Sequence, residues 1–308
     1  MIERTRGLDI ATHIILAIGF ILLAVPLYLV FVAATKTLPE VNTLPPTYWP
    51  SDQLLQNVAD AWTKSDFGRK FTNSLIIALG VVTGKVVIAA ITAFGLVFFD
   101  YKFKMVAFWL VFITLMLPLE VRIVPTYAVA ANALQPFQAI LDFSGLSWLI
   151  QKASGLRVAL EWNLLNSYTG LILPLVATAT GTFLYRQFFL TIPAELVEAA
   201  KMDGAGPVRF LREILIPLSR TNIAALATIM FVFSWNQYLW PLLIITDPDY
   251  QVVAVQLKTL VPTGGNAAEG LPTWNIAMAG TLIVMVPPII VVIFMQRWFV
   301  RGLINTDK

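Results

Sequence analysis

The sequence predicts an all-α, polytopic integral membrane protein with six transmembrane helices and one polar helical hairpin set between the fourth and fifth. Three observations lead there: an apolar composition, six apolar runs of bilayer length, and one charged segment interrupting them. Of 308 residues, 58% are hydrophobic and 13% charged, and the mean hydropathy is +0.76. A soluble domain of this length would need far more polar residues to cover its surface.

The apolar runs are Ile10–Ala34, Phe71–Val97, Val106–Ala128, Tyr168–Phe189, Asn222–Ile245 and Trp274–Met295. About 20 residues cross the hydrocarbon, and a helix is the state in which an isolated run satisfies its own backbone polar groups. Pro26, Pro118, Pro174, Pro241, Pro287 and Pro288 fall in or near these runs and predict kinks or helix ends. Arg4 and Arg6 resemble the start of a signal peptide, but the run after them is too long and is interrupted by Pro26, so a retained helix is expected.

Orientation follows the Lys/Arg bias. With the N-terminus in the cytoplasm, the inner segments hold Lys102, Lys104, Arg186, the basic residues from Lys201 to Arg220, Arg297 and Arg301. The longer outer segments hold fewer, so both termini are expected inside. Residues 134–166 contain Trp148 and Leu149 but are broken by Asp142, Lys152, Arg157 and Glu161. They are expected to form an outer-surface (periplasmic) insertion with one or two interfacial helices, not a seventh span.

Several chemistries lack raw material. Cysteine is absent and His13 is the only histidine, so no disulfide framework, metal cluster or His-based catalytic set is predicted. No cofactor is expected, and nothing points to nucleic acid. Gly80-Val81-Val82-Thr83-Gly84-Lys85 looks superficially like a phosphate loop. It is one residue short between the glycines, lacks the Ser/Thr after Lys85, and lies in an apolar run. A small-residue helix contact explains Gly80 and Gly84 better.

The polar segment runs from Thr191 to Pro217. Pro193, after Thr191 or Ile192, suits a first helical position, and Glu195 falls in the first turn, where the helix dipole favours anions. Gly204 stands where the chain must turn left-handed after the helix. Gly206-Pro207 then starts a second short helix through Glu213, with Pro217 closing it. Glu195, Glu198 and Met202 share one face, while Ala199 and Ala200 are small enough for close approach of a partner. A lipid-soluble chain has little reason to carry such a hairpin unless a soluble protein grips it.

The spacing of Glu198-Ala199-Ala200, three residues, Gly204, nine residues, Ile214 and then Ile216-Pro217 resembles the docking loop of importer permeases in the ATP-binding-cassette superfamily. Trp235-Asn236-Gln237-Tyr238-Leu239-Trp240-Pro241-Leu242 resembles the signature of their carbohydrate-uptake group, which includes the maltose permeases. More narrowly, Phe112 to Ile123, Arg186-Gln187-Phe188-Phe189, Met295-Gln296-Arg297 and Phe299-Val300-Arg301-Gly302-Leu303 resemble the smaller permease subunits of sn-glycerol-3-phosphate uptake systems. The resemblance covers nearly the whole chain outside 134–166.

That resemblance implies a transmembrane permease subunit of an ATP-driven, binding-protein-dependent importer in the bacterial inner membrane, carrying sn-glycerol 3-phosphate or glycerophosphodiesters. The alternatives are the same machine carrying a sugar or oligosaccharide and, further off, an ion-coupled secondary transporter. It implies one transmembrane domain over residues 1–308, with core spans at about 71–298. The implied partners are a second homologous permease, a dimer of cytoplasmic ATPase subunits, a periplasmic substrate-binding protein and membrane lipid. ATP would be hydrolysed by the separate ATPase, with residues 191–217 as the coupling hairpin and Glu195, Glu198, Ala199, Ala200, Asp203 and Gly204 as its contact set. The 246–273 loop, with Gly264, Gly265 and Gly270, would face the binding protein.

Charges inside the spans are a second point of interest. Lys85 falls midway along the second run, and Glu120 and Arg122 fall toward the outer end of the third. Ionisable groups at such depth are costly and usually face a cavity or a partner. Arg122, and after it Lys85, could offer positive charge to a passing phosphate; interhelical ion pairing or snorkelling is the competing explanation. Trp235, Asn236 and Gln237 could line the pathway or serve interhelical hydrogen bonding.

Overall fold

The computed structural model describes residues 6–63, 66–157, 159–176, 179–262 and 271–304. Gly264, Gly265 and Gly270 lie outside them. All regular structure among the described residues is helical. In chain order the helices are α1 (Arg6–Ala34), α2 (Leu38–Val41), α3 (Leu54–Thr63), α4 (Phe67–Phe98), α5 (Lys104–Met116), α6 (Leu119–Ala131), α7 (Gln135–Phe143), α8 (Leu146–Ser154) and α9 (Tyr168–Val176). They continue as α10 (Ala179–Phe189), α11 (Ala194–Met202), α12 (Pro207–Phe210), α13 (Ile216–Leu218), α14 (Arg220–Trp235), α15 (Leu239–Ile244), α16 (Val253–Leu260) and α17 (Trp274–Ile304).

Among the described residues, three helices are long and apolar enough to cross a membrane: Gly7–Ala34, Phe67–Phe98 and Trp274–Gln296. Two bent pairs raise the number to five if each counts as one span. These are α9 with α10, bent by 43°, and the helical stretch Pro207–Leu218 with α14, bent by 76°.

Two of the other predicted runs are cut for a local cause. The run Val106–Ala128 divides into α5 and α6 at Leu117 and Pro118. The proline ring disfavours the helical region for the residue before it, and Leu117 is extended at φ −87°, ψ 111°. The run Asn222–Ile245 stops at Trp235 because Asn236 turns its amide back on its own helix, donating to the Val232 carbonyl at 2.9 Å. Residues 134–166 contain the two short helices α7 and α8. Asn132 holds their flanks together by accepting from the Leu134 and Trp162 N–H groups and donating to Leu160 O.

The chain divides into two compact units. One comprises residues 1–71 and 253–287, the other 72–252 and 288–308. In the first, buried Ala34, Ala61, Ile276 and Ala279 form a small core. Asn57 ties it together, donating to Ala34 O and Lys36 O at 2.8 Å each and accepting from Asn275 Nδ2 at 2.8 Å. The last turn of α1 thus ends on a side-chain amide instead of water, which a buried helix terminus requires.

In the second unit, α4 presents a stripe of small residues that lets neighbours close in. A methyl group built on Gly80 would lie 2.6 Å from Ile172 Cδ1, and one on Gly84 would lie 2.6 Å from Val176 Cγ2. Ala89 is approached in the same way by Gly181 of α10. This is the small-residue helix contact expected from the sequence. Asn73 near the start of α4 fixes the 249–251 backbone, donating to Asp249 O and Gln251 O, and accepts from Tyr168 Oη at 2.7 Å.

Candidate functional site

The polar hairpin is built by local rules. Helix α11 begins at Ala194, with Pro193 as its non-helical N-cap at ψ 138°. That start is one residue later than the sequence suggests, and Thr191 donates back to Phe188 O. The far end closes on Gly204 at φ +72°. The Ala205 N–H reaches Ala200 O at 2.9 Å and the Gly204 N–H reaches Lys201 O at 3.0 Å, the paired bonds of a Schellman end.

The second arm departs from expectation. Pro217 does not close it: α12 runs through a π-turn over Leu211–Leu215 into α13, and the helical path ends at Leu218. A widened turn makes room for a proline ring that an ordinary turn would force against the carbonyl four residues earlier. The bend falls at Ser219, which is 1% exposed and donates both its N–H and its hydroxyl to Leu215 O, at 2.9 and 2.6 Å.

The hairpin has two distinct faces. Glu195, Glu198, Ala199, Met202, Asp203 and Gly204 are exposed, with Met202 at 83% and Val208 at 77%. Ala200 points the other way and is 6% exposed, in one cluster with Phe94, Phe210 and Leu215. Phe210 packs edge-on to Phe98 at 5.4 Å between ring centroids. Beside it lies a cleft of about 270 Å³, walled by Phe94, Phe98 and Phe99 on one side and Val197, Ala200 and Pro207 on the other. The sequence reading missed this aromatic floor, for which the Phe98-Phe99 doublet at the end of α4 is the available signal. The exposed ion pair Arg209–Glu213, at 2.8 Å, braces the second arm.

Deep in the second unit, α4 and α14 enclose one of the charged positions. Lys85 is 3% exposed. Its ammonium donates to Met230 Sδ at 3.4 Å and sits 4.5 Å from the centre of the Phe233 ring. Arg122, on α6, is half-buried. Among the described residues, no carboxylate pairs with either cation. Glu120 occupies the first turn of α6, two residues from Arg122.

Residues 85–305 match the family described as binding-protein-dependent transport system inner membrane component. The chain belongs to this family. The permease is similar over its whole length to proteins named sn-glycerol-3-phosphate transport system permease protein UgpE. It is 42% identical to that of Yersinia pestis bv. Antiqua (strain Antiqua) over 314 residues, covering 100% of both chains. It is 43% identical to that of Salmonella typhi, also over 314 residues and 100% of both chains. Among solved structures it resembles a chain in the crystal structure of a bacterial ABC transporter involved in the import of the acidic polysaccharide alginate. The TM-score there is 0.73 at 19% identity, covering 97% of this chain and 99% of that one.

In the permease, then, the structure divides the sequence-derived positions. Five of the six hairpin residues lie on one accessible surface, and the sixth, Ala200, supports it from beneath. Lys85 is sealed against Met230 and Phe233 of α14, and Arg122 is half-buried on α6. Trp235 does not join them: it is 1% exposed and stacked on Phe231, with centroids 5.9 Å apart. Asn236 and Gln237 direct their amides to Val232 O and Phe233 O on their own helix, so among the described residues they cap the end of α14.

Proposed function

We propose that this chain is the smaller permease subunit of an ATP-driven importer for sn-glycerol 3-phosphate or glycerophosphodiesters, with six spans and both termini in the cytoplasm. The observation that carries the cargo assignment is full-length identity of 42–43% to permeases named for sn-glycerol-3-phosphate transport. The working complex contains a second permease, two ATPase subunits and a periplasmic binding protein. The 191–217 hairpin is the part an ATPase grips. Its supports are the exposed Glu195, Glu198, Met202 and Asp203 around a turn held by Gly204, with Ala200 and Phe210 anchoring it to α4. Carboxylates on that surface can make charge-assisted contacts with a basic groove. Residues 134–166 form a periplasmic insertion.

Co-expression with the genes for a second permease, an ATPase and a binding protein, followed by reconstitution into liposomes, tests the cargo. ATP-dependent accumulation of labelled sn-glycerol 3-phosphate is expected. Accumulation of a neutral sugar in its place would transfer the assignment to sugar import, and accumulation without ATP would transfer it to ion-coupled transport.

A further inference from the structure

Where residues 134–166 meet the end of α6, two clefts of opposite character lie side by side. One, of about 390 Å³, is polar and is lined by Asp142, Ser147, Gln151, Arg157 and Glu161. Asn132 and Gln138 also line it, but their amides hold the scaffold. Asn132 bonds the backbone of residues 134, 160 and 162, and Gln138 accepts from the Leu160 N–H at 2.9 Å and donates to Asp142 Oδ1 at 3.0 Å. The side chains of Ser147, Gln151, Arg157 and Glu161 make no hydrogen bond or ion pair among the described residues, which leaves their polar groups to the cleft. The other cleft, of about 510 Å³, is apolar, walled by Pro125, Val129, Trp162, Leu164, Leu173 and Pro174. A single backbone seam separates the two. Ala133 N–H donates to Trp162 O and Leu164 N–H to Ala130 O, at 2.9 Å each, so the chain runs back along the end of α6. Leu160 and Glu161 fall on the polar cleft, Trp162 and Leu164 on the apolar one. Together the clefts fit an amphiphile; a purely polar solute would leave the groove unfilled. Trp162, half exposed between them, suits a membrane–water boundary.

We propose that the two clefts hold one outer-leaflet phospholipid with a zwitterionic, ammonium-bearing head: its phosphate on Arg157, its ammonium on Asp142 and Glu161, and an acyl chain in the groove beside Trp162. The proposal rests on the periplasmic placement of residues 134–166 given above. A guanidinium takes a phosphate through two parallel hydrogen bonds, and a primary ammonium has three N–H groups to give to carboxylates. The charge balance selects among heads. Two carboxylates against one guanidinium leave the polar cleft net negative, which disfavours a net anionic head and favours one carrying its own cation. A trimethylated ammonium has no N–H to donate, so phosphoethanolamine is preferred over phosphocholine. A lipid seated there would tie the insertion to the end of α6 at the membrane surface.

The test is native mass spectrometry of the complete transporter released from micelles and titrated with phosphatidylethanolamine, phosphatidylcholine, phosphatidylglycerol or glycerophosphoethanolamine, which has the same head and no acyl chains. This subunit is expected to retain phosphatidylethanolamine about tenfold or more tightly than phosphatidylglycerol, the scale of a charge-assisted hydrogen bond, and not to retain the deacylated diester. Arg157→Gln should lower phosphatidylethanolamine retention by a similar factor. The double variant Asp142→Asn, Glu161→Gln should turn the preference toward phosphatidylglycerol, a reversal that a merely structural role would not produce. Val129→Trp, which fills the groove, should weaken every lipid. All four positions are exposed, so the variants should copurify with the second permease at wild-type stoichiometry. Equal wild-type retention of phosphatidylethanolamine and phosphatidylglycerol overturns the site, as does retention of glycerophosphoethanolamine as strong as that of the lipid. A preference that Arg157→Gln and the double variant leave unchanged also overturns it. The chain has no cysteine, so Ala139→Cys supplies a single thiol, expected to react with a membrane-impermeant maleimide added to spheroplasts. Labelling only after permeabilisation, with the lipid preference intact, refutes the periplasmic placement alone, whereas labelling of intact spheroplasts with no lipid preference refutes the lipid site alone.

Discussion

Gly204 offers a test in which size and backbone strain make opposite predictions. Its φ of +72° lies in the left-handed region, and a methyl group built there meets nothing within 4 Å. A Cβ therefore has room on this subunit, and the cost of adding one is conformational. For L-residues that cost is about 1–2 kcal/mol; alanine falls at the low end and β-branched valine at the high end. Asparagine, which tolerates this region, costs less than alanine although it is larger. If the hairpin must keep this turn to seat an ATPase, the strain lowers the docked population by at most about 5-fold for Gly204→Ala and about 30-fold for Gly204→Val. Binding-protein-stimulated ATP hydrolysis by the complex in nanodiscs should fall in the order Gly, Asn, Ala, Val, with equal membrane insertion. If Ala outperforms Asn, the turn's φ is not what matters, and steric exclusion by the docked partner takes its place.

Three further outcomes follow from packing. Gly84→Ala puts a methyl against both γ-carbons of Val176, at 2.6 and 2.9 Å, and overpacking of that kind costs about 1–3 kcal/mol. Gly80→Ala should cost less because it meets the flexible Cδ1 end of Ile172, and thermal melting of the purified subunit should show the difference, with Val176→Ala rescuing Gly84→Ala. Asn57→Leu strands the Ala34 and Lys36 carbonyls and should destabilise the first unit by about 2–4 kcal/mol, against about 1 kcal/mol for Asn275→Ala, which removes one bond; yield and melting temperature report both. Arg209→Ala should leave stability within about 0.5 kcal/mol, because its partner Glu213 and it are both more than half exposed.

What could be read from the chain was what depends on near neighbours. The C-terminal ends of α1 and α4, the left-handed turn at Gly204 and the close packing over Gly80 and Gly84 all follow from patterns a few residues long. The break at Pro118 was visible as a kink but not as a full division into α5 and α6, because an apolar count ignores the restriction on Leu117. Asn236 ending α14 was hidden for a related reason: hydropathy averages away a single amide that bonds its own helix. The inward turn of Ala200 depends on Phe94 and Phe210 closing beneath it, and the covering of Lys85 depends on Met230 and Phe233 of another helix. No local pattern encodes those meetings. Pro217 was misjudged because the π-turn that accommodates it is formed by residues with no special composition.

The joint at Ser219 links the two places singled out above. On one side of it is the exposed hairpin arm, and on the other is α14, which bears Met230 and Phe233 against the Lys85 ammonium. Met230 lies eleven residues past the joint, about 16 Å at 1.5 Å per residue, so a swing of about 5° there would carry it about 1.4 Å. A pivot of that size is enough to lift a thioether off an ammonium. With an ATPase gripping the hairpin as proposed, the lid over the buried charge and the handle at the surface would be opposite arms of a single crank.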